Sequence, residues 1–128
     1  MRTKTLVLIS SSLELATGLV LIAVPNLVAN VLLSTGLTPA GEAVARVGGF
    51  GLFSLALACW PEGEGDNKRP ITALFVYNLV AACYLGYLRI GGEFTSHLLL
   101  PASGLHGLLA ALFARPAYKS VIDRYPVM

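Results

Sequence analysis

Four polar side chains interrupt otherwise apolar runs: Glu14 in ISSSLELATGLVLIA, Arg46 in VARVGGFGLFSLALACW, Asn78 in ALFVYNLVAACYL and His106 in LLLPASGLHGLLA. A carboxylate, a guanidinium, an amide and an imidazole, one to each run, can exchange a proton, hold a polar headgroup or a quinone carbonyl in an oily cavity, or bond to one another. Desolvation and a neighbouring cation act in opposite directions on a carboxylate. Glu14 beside His106 or Arg46 therefore suits a role in which substrate and proton compete for one group. Ionisable groups inside apolar spans are rare, face the interior and pair, and are functional-site hypotheses by default.

Each residue also has a plainer reading. Glu14 can pair with Arg46 or His106 simply to orient helices. Arg46 stands one turn after Glu42, a favourable i, i+4 pair. Asn78 can bridge two helices, a bond worth about 1 kcal/mol in membranes, and His106 can be a neutral ring bonded to a serine or an asparagine.

The elements that position these groups follow from length and breaks. Apolar spans are expected at about 6–24, 40–60, 70–89 and 97–115, each close to the ~20 residues that cross a bilayer core. Only helices or closed barrels span a bilayer, and these runs are too long for barrel strands. The stretch PNLVANVLLS at 25–34 repeats Asn26, Asn30 and Ser34 every four residues, with Leu27, Val28, Val31 and Leu32 on the other side. That pattern predicts a short interfacial helix. Thr38 reads as an N-cap and Pro39 as the first helical residue of the second span. PEGEGDNKRP is charged and glycine-rich, a solvated loop, RIGGEFTSH is a short turn, and AYKSVIDRYPVM is a short tail expected on the inner surface.

At 1.5 Å per residue, Glu14, Asn78 and His106 each lie roughly 12–13 Å from the inner boundary, and Arg46 about 21 Å up. Ser10, Glu14, Thr17 and Gly18 share one side of the first helix. Ala43, Arg46 and Gly49 share one side of the second, Asn78, Ala81, Ala82 and Gly86 one side of the third, and Ala102, Ser103, His106 and Ala110 one side of the fourth. Small residues let membrane helices approach closely, so all four polar groups are expected to point into one shared cluster, with Thr17, Ser103 and Tyr77 supporting it.

Bulk composition agrees with that architecture. The 128 residues are 55% hydrophobic and 12% charged, where a soluble domain carries about 25% charged residues; mean hydropathy is +0.72. The fold class expected is an all-α integral membrane four-helix bundle, one domain without internal repeats. With the N-terminus inside, the cytoplasmic segments carry Arg2, Lys4, Lys68, Arg69, Arg115, Lys119 and Arg124, against Arg89 alone outside. This positive-inside bias places both termini in the cytoplasm of a bacterial-type inner membrane. Trp60, Tyr87 and Tyr118 fall near the interfaces, where amphipathic rings settle. MRTKTLVLIS starts like a signal peptide, but Glu14 breaks the apolar region and no small-x-small site follows, so a retained first helix is expected. Nothing resembles a basic, aromatic-interleaved nucleic-acid surface, and the partner expected is the lipid bilayer.

The glutamate in SLELATG resembles in placement the membrane-embedded glutamate of the first helix in the small multidrug resistance family, also four-helix proteins of similar length. The resemblance covers the first span only. The charged loop PEGEGDNKRP, Arg46 and His106 depart from it. Taken whole, the four apolar runs, with VARVGGFG placing an arginine before a glycine pair, look like the small four-helix bacterial membrane proteins of the DoxX-like group. That likeness implies a bundle and no particular reaction.

Enzymatic readings are weaker. Cys59 and Cys83 form no CxxC pair, lie nearly 20 Å apart in depth, and read as small core residues rather than a disulfide. His97 and His106 share one helix, so they neither flank a haem nor complete a zinc site. RIGGEF and VGGFG lack the strand-to-helix setting of a phosphate loop. No cofactor or metal is expected. Three functions remain: binding of a small apolar or amphipathic ligand, or of a membrane-protein partner, at the polar cluster; proton-coupled transport of a small molecule through Glu14; or a structural membrane subunit. The small interior of one bundle makes a homo-oligomer plausible.

Overall fold

The computed structural model describes residues 2–61 and 68–123. Within them the chain forms five helices and no strand: α1 Thr3–Ala23, α2 Pro25–Leu33, α3 Pro39–Ala58, α4 Lys68–Ile90 and α5 Leu99–Ile122. By length and composition, α1, α3 and α4 are each able to cross a membrane. α5 has the length, at 24 residues, but Pro101, Ser103, Gly104, His106 and Gly107 dilute its apolar content.

The boundaries have local causes. A proline ring cannot follow a helical turn without losing a hydrogen bond and clashing. α1 therefore stops at Val24 (φ −138°, ψ 62°), and α2 restarts at once with Pro25 as its first residue. α2 ends at Ser34 in the left-handed region, φ 57°. The Thr38 hydroxyl accepts from the Gly41 amide at 3.1 Å and caps α3, with Pro39 at its first position.

Two boundaries differ from the sequence reading. α4 already begins at Lys68 and takes in Pro70, because a proline in the first turn forfeits an amide that has no helical partner there. α5 runs through Pro116 to Ile122, so the start of the expected surface tail is bundle helix. Packing overrides the proline: Phe113, Ala117 and Ser120 are buried, and the Ser120 and Thr72 hydroxyls meet at 3.0 Å. Of the expected charged loop, residues 62–67 lie outside the described residues, as do 124–128 of the tail.

The helices pack as two pairs, α1 with α3 and α4 with α5. The first pair meets at glycines. A Cβ on Gly18 would lie 2.8 Å from the Phe53 nitrogen, and one on Gly49 would lie 2.8 Å from the Gly18 carbonyl. The second pair meets where the Ser103 hydroxyl donates to the Ala82 carbonyl at 2.8 Å and Gly86 faces Ser103. One end of the molecule holds the tight core: Leu6 and Val7 of α1, Cys59 after α3, Ile71 and Leu74 of α4, and Leu109, Phe113 and Ala117 of α5. Leu6 and Ile71 start their helices while Cys59 and Ala117 end theirs, so the four long helices alternate in direction. Cys83 is exposed on α4 rather than in the core, because the buried side of that helix carries Ile71, Leu74 and Asn78.

Candidate functional site

Directly above the tight core lies a buried polar chain. The Asn78 amide nitrogen donates to the Leu74 carbonyl at 2.8 Å and to the Ser10 hydroxyl at 3.2 Å. A carbonyl can only accept, so the amide orientation is settled: the nitrogen faces Leu74 and Oδ1 faces His106. Asn78 Oδ1 and His106 Nδ1 are 2.8 Å apart, so Nδ1 carries the hydrogen. In the neutral ring Nε2 is then a bare acceptor. Tyr77 stands edge-on to His106, with ring centroids 5.7 Å apart at 84°, and lies beside the Glu14 carboxylate. Glu14 is 1% exposed, and its Oε1 has no hydrogen-bond partner among the described residues.

Over this chain the two helix pairs part around a cavity of about 330 Å³, at the small end of the ~300–1,000 Å³ typical of ligand pockets. Thr17, Tyr77 and His106 line it on the polar side. Leu21 of α1, Val28, Ala29 and Leu32 of α2, and Ala81 and Tyr84 of α4 make the rest of the wall apolar. Ser103 lies apart from this wall, bonded to the α4 backbone.

Arg46 takes no part in the Glu14–Asn78–His106 group. Its Nη1 donates to Glu42 at 3.2 Å, and its Nε donates to the Ile22 carbonyl at 3.2 Å. Ile22 is two turns beyond Glu14 on α1, roughly 12 Å along the axis. The guanidinium is held there because a carboxylate one turn back and an end-of-helix carbonyl are both within reach, which is the plainer of the two sequence readings. Glu42 also accepts from the Asn26 amide nitrogen, while Asn26 Oδ1 accepts from the Leu37 amide at 2.7 Å. Asn26, Glu42 and Arg46 thus form a polar knot that ties α2 and its following loop to α3. Ser96 adds a second tie, donating to the Val31 carbonyl of α2 at 2.8 Å.

The part of α2 in the cavity wall was not legible in its sequence. The asparagine spacing marked a polar side, but Asn26 turns inward to Glu42, while Leu27 and Val31 are half-exposed. Among the described residues no three of His, Cys, Asp and Glu come together to hold a metal ion. Comparison of the chain with protein-family models, with curated proteins and with solved structures finds no match.

Proposed function

We propose that this is a multi-pass membrane protein that binds a small apolar or amphipathic molecule in the cavity between its helix pairs. The observation that carries the reading is the apolar cavity with a polar floor at Tyr77 and His106, backed by a buried carboxylate with an unused oxygen. Several observations favour a bilayer setting for all four long helices. Large apolar side chains face outward along α3 to α5, with Val44 72% and Ile90 87% exposed. Exposed apolar surface on that scale marks a membrane or partner interface. Arg2, Lys4, Lys68, Arg69, Arg115 and Lys119 gather at the tightly packed end, which suits a cytoplasmic face and cytoplasmic termini.

A photoreactive alkane equilibrated with the protein in lipid nanodiscs tests this. Crosslinks should concentrate on Leu21, Ala81 and Tyr84, fall on adding an unlabelled single-chain amphiphile, and disappear in Ala81→Trp, which fills the space. Labelling spread evenly over outward residues such as Val80 and Ile90, without competition, would sink the binding reading.

The unpartnered Glu14 oxygen also favours a second reading, proton-coupled transport. In proteoliposomes, Glu14→Gln should then abolish amphiphile-driven proton flux while leaving the melting temperature nearly unchanged. If Glu14→Gln instead prevents folding, the carboxylate is structural.

A further inference from the structure

The cavity does not stand alone. A second apolar space, a groove of about 420 Å³ between α1 and α2, shares Thr17, Val28 and Leu32 with it. Leu27 and Val31 form the outer rim of that groove, 56% and 50% exposed. Toward the α2–α3 loop the surroundings of the cavity are polar. There Asn26, Glu42 and Arg46 bond to one another, to Ile22 and to Leu37. An apolar way in therefore runs sideways, between α1 and α2.

The floor also discriminates. His106 Nε2 in the neutral ring can only accept a hydrogen bond, and the Tyr77 and Thr17 hydroxyls beside it can accept as well as donate. The His106 Nδ1 proton is already given to Asn78. Glu14 itself is buried behind Tyr77 and does not line the cavity. No lysine or arginine lines it, and Arg46 is committed elsewhere. A buried charge without a partner is strongly penalised, so an anionic head and a permanent cation are both disfavoured. An uncharged head that donates a hydrogen bond fits.

We infer that the ligand is an uncharged, hydroxyl-bearing single-chain amphiphile, that its hydroxyl donates to the His106–Tyr77–Thr17 floor, and that its chain enters from the bilayer through the α1–α2 groove. This rests on the binding reading above and adds the head chemistry and the route.

The test uses the whole protein in nanodiscs and competition against the photoreactive alkane. The competitors are decanol, decyl methyl ether, decyl sulfate and decyltrimethylammonium. Decanol should compete about fivefold better than the ether, the gain from one neutral hydrogen bond. Both charged amphiphiles should be weaker than decanol by more than about a hundredfold. An ether equal to decanol, or a charged competitor that outperforms it, overturns the head assignment while the binding reading stands. If no amphiphile competes, the binding reading itself fails. His106→Phe should erase the preference for decanol over ether while alkane labelling persists. Should that variant fail to fold, Thr17→Val must reduce the same preference, and an unchanged ratio overturns the proposal. Ala16→Trp, which fills the groove, should slow labelling severalfold without changing the ratio; an unchanged rate overturns the side route.

Discussion

Asn78 organises the residues around it. Its side chain bonds to α1 through Ser10, to its own helix through Leu74, and to α5 through His106. Replacing it by Leu leaves the Ser10 hydroxyl and the His106 Nδ1–H buried without this partner. The expected cost is about 1–3 kcal/mol, seen as a clear fall in melting temperature in detergent. Ser103→Ala should cost less, because Ser103 is only partly buried and its partner is a carbonyl within a helix. Equal losses for the two variants would show that the polar chain does not hold the bundle. Glu14 and His106 were legible as buried polar groups because a charge in an apolar run stands out. Their connection through Tyr77 and Asn78 was not, since spacing along one helix says nothing of how far the next one is rotated.

At the level of the helices, four glycines of two kinds make a controlled comparison. Gly18 and Gly49 sit where α1 and α3 touch backbone to backbone, and a Cβ at either would lie less than 3.0 Å from two atoms. Gly18→Ala and Gly49→Ala should force the pair apart and destabilise by about 1–3 kcal/mol. Gly48→Ala and Gly51→Ala, on the open side of α3 with nothing within 4 Å, should be neutral or stabilising by up to about 1 kcal/mol, the helix-propensity gain. Thermal melts of the four variants should fall into those two groups. Thr38→Ala should cost about 1 kcal/mol through the lost cap of α3. Losses of equal size at Gly48 and Gly49 would be inconsistent with the packing described.

For the molecule as a whole, the expected topology sets which ends face water on each side. In a background lacking Cys59 and Cys83, a cysteine at Gly92, exposed in the turn between α4 and α5, should react with a membrane-impermeant maleimide added to whole cells. One at Tyr118, 70% exposed near the opposite end, should react only after the membrane is opened. Reaction of position 118 from outside would invert the orientation. The tight core at the basic end and the cavity at the other also predict unequal tolerance. Phe113→Ala, in the fully buried cluster, should cost about 3–5 kcal/mol, whereas Leu21→Ala, in the cavity wall, should cost much less.

The chain's own order of residues determined that it is helical, where α2 and α3 start, and that Asn78 and His106 lie at one level. Periodicity, prolines and caps act within a few residues, and depth follows from a fixed rise. Tertiary structure decided the remainder. It decided that α5 continues past Pro116, because Ala117 and Ser120 find burial there. It decided that Arg46 bonds to Glu42 rather than joining the carboxylate two turns below, because the nearer partners were on hand. It also decided that α2 walls a cavity, because its ties to Glu42, Leu37 and Ser96 come from segments 11 to 65 residues away. Such distant contacts set rotation and tilt, and no local pattern in a sequence carries them.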